Sequence, residues 1–100
     1  MTPVIFHPHV QRDIDDALEY YNNISSQIED RFWNEFCSAI DEIKATPEKF
    51  HIDQHTGYKR YNLKTFPYNI LYIIYPSVVR IQVLRHNRRK ETFGSYRKTK

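Results

Sequence analysis

The period of the apolar positions changes along this chain, and the changes mark out its elements. Val4-Ile5-Phe6 is a short, β-prone apolar run that stops before Pro8, whose missing N–H suits the first turn of a helix. Val10, Ile14, Ala17, Leu18 and Tyr21 then recur at helical offsets, with Arg12, Asp13, Asp15, Asp16 and Glu19 on the other side. That spacing predicts an amphipathic helix ending near Asn22-Asn23. Ser26, with Glu29 three residues on, reads as a capping box for a second helix. Its stripe of Ile28, Phe32, Phe36, Ile40 and Ile43, widened by Trp33, Cys37 and Ala39, runs to about Ala45 before Thr46-Pro47. So short a link makes the two helices an antiparallel hairpin.

After Pro47 the helical period is gone. Residues 48–57 are polar and read as a loop. Tyr58 to Leu63 reads as a strand, with Tyr61 and Leu63 on one face and Tyr58, Arg60 and Asn62 on the other. Phe66-Pro67 interrupts it, and Tyr68 to Tyr75 is dense enough in Ile, Leu and Tyr for a central strand buried on both faces. Pro76-Ser77 supplies a tight turn. Val79, Ile81 and Val83 then alternate with Arg80, Gln82 and Leu84, which puts Arg80, His86 and Arg88 on the parity opposite the core. The last dozen residues read as an exposed basic tail. The predicted class is α+β in the order β-α-α-β-β-β, an antiparallel sheet through residues 58–86 packed against a helical hairpin, with the first strand joining a sheet edge.

One hundred residues make a single domain, residues 1–100, and 40% hydrophobic residues with 15% aromatic describe a folding chain. The longest apolar run, Ile70 to Tyr75, falls far short of the roughly 20 residues a membrane span needs. Met1 to Val10 has no basic flank followed by an apolar stretch, so no signal peptide is expected. A lone cysteine, Cys37, cannot form an internal disulfide, which fits a reducing compartment and a cytoplasmic location. On its apolar stripe it reads as a small hydrophobe rather than a nucleophile.

Charge sharpens the picture. The net +3 conceals four Lys/Arg against ten Asp/Glu in residues 1–50 and eleven against two in residues 51–100, or −6 and +9. Such a field attracts a polyanion or an acidic protein segment. Lys59, Arg60, Arg80, Arg85, His86, Arg88, Arg89 and Lys90 all come from the predicted meander and its end, so several can converge on one sheet face. Guanidinium forks match phosphate oxygens, and metal-free RNA cleavage would add a base and an acid, roles open to His86, Tyr58 or Tyr96. The plainer reading is that these arginines solvate the sheet and pair with acids.

Other constellations carry less. His7-x-His9 and His51-x-x-x-His55 fall short of a zinc donor set, so no metal or other cofactor is expected, and His7 reads as a helix cap. Asp13, Asp15, Asp16 and Glu19 suit the positive start of a helix. With only Gly57 and Gly94 there is no phosphate-cradling loop. Of Tyr20, Tyr21, Trp33 and Phe36, most are expected to fill the core.

Taken in order, Phe6-His7-Pro8, the Asp13-Ile14 to Tyr20-Tyr21 helix, Tyr58-Lys59-Arg60-Tyr61, Phe66-Pro67-Tyr68-x-Ile70-x-Tyr72 and His86-Asn87-Arg88-Arg89 resemble the RelE/ParE superfamily of toxins from prokaryotic toxin–antitoxin modules, also called plasmid stabilisation proteins. The resemblance covers nearly the whole chain. It implies the β-α-α-β-β-β fold, a cognate antitoxin as partner, and growth arrest when the toxin is free. Two targets come with it: DNA gyrase, blocked by ParE-type toxins, and messenger RNA on the ribosome, cut by RelE-type endonucleases. Arg60 and Arg88 stand where the nucleases place basic catalytic residues, with His86 and Tyr96 as the remaining candidates. Asn62 and Asn69, however, stand where the nucleases have further basic residues, and Phe93-Gly94 occupy the region of their tyrosine. The His86-Asn87-Arg88 ending is closer to the ParE side, which leaves Lys59, Arg80, Arg85, Arg89 and Lys90 as residues for binding a target rather than for catalysis.

Overall fold

The computed structural model describes residues 2–99, with side chains through residue 97. Its elements are β1 (Val4–Phe6), α1 (Val10–Asn22), α2 (Ser26–Ala45), a 3-10 turn (Pro47–Lys49), β2 (Lys59–Asn62), β3 (Tyr68–Ile74), β4 (Val79–His86) and a closing 3-10 segment (Ser95–Thr99). The order predicted from the apolar pattern is therefore the order observed.

In α1 the buried residues are Val10, Ile14, Ala17 and Tyr21, the stripe read from the sequence. His7 does not cap this helix. Its Nδ1 accepts the His9 backbone N–H at 3.0 Å, fixing the turn ahead of α1, whose own N-cap His9 makes no side-chain capping bond. The cap of α2 also differs from expectation: Ser25, not Ser26, is extended before the helix and accepts from the N–H groups of Gln27 and Ile28. Glu29 instead accepts from the side-chain amide of Asn22 at 2.8 Å, tying the two helices together. Phe32, Phe36, Ala39 and Ile43 of α2 are buried. Tyr21, Phe32, Phe66 and Tyr68 interlock edge to face and stacked at 4.9–6.3 Å, while Tyr20 and Trp33 stay exposed. Each large apolar side chain withdrawn from water here contributes about 1.5–3 kcal/mol.

The four strands form one sheet in the order β1-β4-β3-β2. β2 with β3 and β3 with β4 are antiparallel, as the two-residue turn at Pro76-Ser77 demands, closed by Tyr75 N–H donating to the Val78 carbonyl at 2.8 Å. β1 lies parallel to β4 at the edge, with Val4 opposite Val79 and Phe6 opposite Ile81. No tight turn links these two strands, so nothing local imposes an antiparallel pairing. Both helices and the main core occupy one face of the sheet.

β4 departs from simple alternation. Tyr72 pairs with Ile81 and Leu71 with Val83, so Gln82 is an extra residue on β4. Such a bulge inverts the side-chain parity beyond it. Val79, Ile81 and Leu84 join the helix-side core, whereas Val83 joins Tyr58 and Leu71 in a second cluster on the outer face. His86 consequently lies beside Tyr68, with ring centroids 4.9 Å apart, and does not share a face with Arg80 as expected.

The outer cluster is covered by residues the sequence pattern assigned to an exposed tail. Phe93 packs on it, and the Tyr58 hydroxyl donates to the carbonyls of Gly94 and Ser95. Gly94, at φ +85°, sits so close to β4 that a Cβ would come within 2.3 Å of Val83 Cγ2. Gln82 Nε2 donates to the Arg97 carbonyl at 2.8 Å, and Arg97 reaches Asp13 of α1 at 2.7 Å. An outer apolar patch of Tyr58, Leu71 and Val83 needs a lid, and residues 93–97 supply it. The Lys98 side chain and Lys100 lie outside the described residues.

Candidate functional site

At the end of β4 the chain makes a turn that gathers three of the predicted residues. Asn87 N–H donates to the Pro67 carbonyl, and the N–H groups of Arg88 and Arg89 donate to Nδ1 and the carbonyl of His86. Because His86 Nδ1 accepts, the proton of the neutral ring sits on Nε2, which remains a donor. Burial, then the charges of Arg88 and Arg89, lower the His86 pKa below its ordinary 6.5, so the ring is neutral at pH 7. His86, Arg88 and Arg89 line a hollow of about 380 Å³ whose opposite wall is α1, with Asp13, Asp16 and Tyr20. Tyr68 lies at its base, its pKa pushed up to about 12, first by burial, and it stays a phenol. The hollow thus presents two guanidiniums against two carboxylates.

The outer face holds a second group built on an acid that sequence reasoning missed. Asp53, 1% exposed, accepts from Arg60 Nη1 at 3.1 Å and Arg85 Nη2 at 3.0 Å through Oδ1. Its Oδ2 accepts from the Thr56 N–H at 3.0 Å and the Thr56 hydroxyl at 2.7 Å. Burial pushes the Asp53 pKa up, but hydrogen bonds from Arg85 and Thr56 and the Arg85 charge outweigh it, and the net shift is downward. Arg85 is also held by the Glu91 carbonyl at 2.6 Å. Next to this knot, Arg60, Asn62, Asn69, Arg85, Asn87 and Arg89 line a hollow of about 390 Å³. Asp53 had a sequence signal, since it and Glu91 are the only acids in residues 51–100.

The remaining candidates lie elsewhere. Lys59 donates to the carbonyls of Glu48 and Phe50, anchoring the loop before β2. Arg80 and Tyr96 line a third hollow with His7, His9 and Arg97. Lys90 is exposed beyond the turn. The residues a nuclease would use are partly divided: His86 and Arg88 border one hollow and Arg60 a second, while Tyr96 borders the third and also a hollow of about 600 Å³ that shares Asp13, Asp16, Arg89 and Phe93 with the first. Arg89 alone of the predicted set borders both basic hollows. Asp13, read as a helix-start acid, does more than that: its carboxylate accepts from the Leu84 N–H and pairs with Arg97.

Among the described residues no group of three or more His, Cys, Asp or Glu is placed to hold a metal ion, and no helix is long and apolar enough to cross a membrane. Cys37 is half-buried, and burial raises its thiol pKa, which keeps it protonated and unreactive.

Residues 4–91 match the sequence model of the family described as the ParE toxin of the type II toxin–antitoxin system parDE. Among solved structures, the fold is similar to a chain of the chromosomal ParDE toxin–antitoxin system from P. aeruginosa. The TM-score is 0.75 at 9% sequence identity, covering 86% of this chain and 96% of that one. At that identity the likeness is one of fold. No curated protein matches the sequence.

Proposed function

Since this chain belongs to the ParE toxin family of type II toxin–antitoxin systems, we propose that it arrests growth by binding and blocking DNA gyrase, and that a cognate antitoxin holds it in check. The observation that supports the choice of target is that Arg60 borders a different hollow from His86 and Arg88. Metal-free RNA cleavage needs a base, an acid and a cation around one phosphodiester. Arg60 is further engaged by the buried Asp53 carboxylate. A protein-binding toxin needs no such convergence, and the turn carrying Arg88, Arg89 and Lys90 presents exposed cationic side chains suited to a target's acidic surface.

The test runs the purified protein in a gyrase supercoiling assay and, in parallel, in a translating-ribosome messenger-RNA cleavage assay. Supercoiling should be inhibited and no RNA product should form. Arg88→Ala should weaken inhibition partially, as loss of one rim contact does. Ribosome-dependent cleavage by the wild type, abolished in Arg88→Ala, would make the RelE-type nuclease reading correct instead.

A further inference from the structure

We propose that the hollow between the end of β1, Arg80 of β4 and the closing 3-10 segment binds a phosphate group, as the free anion or as a small monoester. It has a volume of about 520 Å³ and is lined by His7, Pro8, His9, Arg80, Tyr96 and Arg97. It shares no lining residue with the two basic hollows described above, and two of its residues, Tyr96 and Arg97, fall beyond the family match at residue 91.

Its polar groups are only partly engaged. Arg80 makes no ion pair among the described residues, and its Nε is buried without a hydrogen-bond partner. Arg97 is 5% exposed; its Nη1 donates to Asp13 and the Gln82 carbonyl, its Nη2 donates to Asp13 Oδ1 at 3.3 Å, and its buried Nε is without a partner. His7 is also 5% exposed. With Nδ1 accepting from His9, the proton of the neutral ring is on Nε2, a donor with no partner among the described residues. α1 begins at this rim, and its first-turn amides receive no side-chain cap from His9, so the positive end of the helix adds to the field.

Asp13 cancels one guanidinium, leaving Arg80 uncompensated beside the His7 N–H and Tyr96. A phosphate dianion matches such a set, since a guanidinium fork takes two of its oxygens and neutral donors take the third. The volume exceeds what phosphate alone fills and falls in the range of about 300–1,000 Å³ typical of small-ligand sites. Tyr96, exposed at the mouth, offers a ring face to a planar group on the phosphate.

The experiment is calorimetric titration of the protein with inorganic phosphate and, separately, with adenosine 5′-monophosphate. Both should bind saturably at one site and compete with each other. Arg80→Gln should weaken both by about tenfold or more, the effect of losing a charge-assisted pair, whereas Lys90→Gln should leave both unchanged. If the nucleotide binds more tightly and Tyr96→Ala removes the difference, the ligand is a nucleotide; equal affinities make it free phosphate. A second readout is the His7 ring titration by NMR. Burial and the charges of Arg80, Arg97 and His9 hold its pKa down, against Asp13, which raises it; a bound anion should move it upward. Absence of saturable binding by either probe, or equal weakening in Arg80→Gln and Lys90→Gln with both variants folded by circular dichroism, would overturn the proposal. Neither result would bear on the gyrase assay.

Discussion

Asp53 is the residue on which the outer face depends. Its carboxylate is almost fully buried and answers two guanidiniums, one of them the buried Arg85. Removing the acid leaves Arg85 charged and uncompensated, a change that costs roughly 3–5 kcal/mol in such settings. Asp53→Ala is therefore expected to lower urea stability by about that amount at pH 7, whereas Arg60→Ala, which removes the more exposed partner, should cost only about 1 kcal/mol. Acid should reproduce the Asp53 effect. The folded pKa lies below the ordinary 3.8, so the stabilisation is complete above that value and is lost as pH falls through the folded value. Urea midpoints of the wild type and Asp53→Ala should accordingly converge as the pH is lowered below about 3.8; a constant gap down to pH 2 would contradict this account.

The helices were the most legible elements, because burial repeats along them with the period of the sequence pattern itself. Their ends were less so: Ser25 and Ser26 are equivalent to any reader of composition, and only backbone geometry chooses between them. The choice can be measured. Ser25→Ala should cost about 1 kcal/mol of stability and Ser26→Ala a few tenths at most; the reverse ranking would restore the cap to Ser26. The strands were legible as far as Ile81 and not beyond. A bulge has no residue signature, so the alternation of Val79, Ile81 and Val83 runs on through Gln82 and predicts the wrong face for His86. The segment from Phe93 to Arg97 reads as a tail because it lies between the cations Arg88, Arg89 and Lys90 on one side and Lys98 and Lys100 on the other, with no helix or strand period of its own. Its role comes from distant partners, Tyr58, Gln82 and Asp13, which no local pattern can report. The candidate site inherited both errors, since residues close in sequence were expected to converge and the bulge and the turn at Asn87 sent them to separate hollows.

At the scale of the molecule the two layers differ in charge as well as structure. The −6 half contains both helices, and the +9 half contains β2, β3, β4 and the closing segment. A partner carrying an acidic segment should be drawn to the sheet end by long-range attraction and held by apolar contact. Binding of a cognate antitoxin should then show an association rate that falls about tenfold or more between low and high salt, with little change in dissociation. Equal salt sensitivity of both rates would argue against steering. The pairing of Asp13 with Arg97, together with β1 beside β4, has a further consequence for how the protein is made. A ribosome releases the chain from its first residue onward, so the hairpin of α1 and α2 leaves the exit tunnel long before the strand that covers its apolar face. β1 waits for Val79 to Ile81, and α1 waits for Arg97, so both wait for residues made much later. Contacts of such long sequence separation also close slowly. The newly made toxin therefore passes through an interval in which its apolar helix surfaces are open and its fold is incomplete, and an antitoxin already present can meet it before it becomes competent to act.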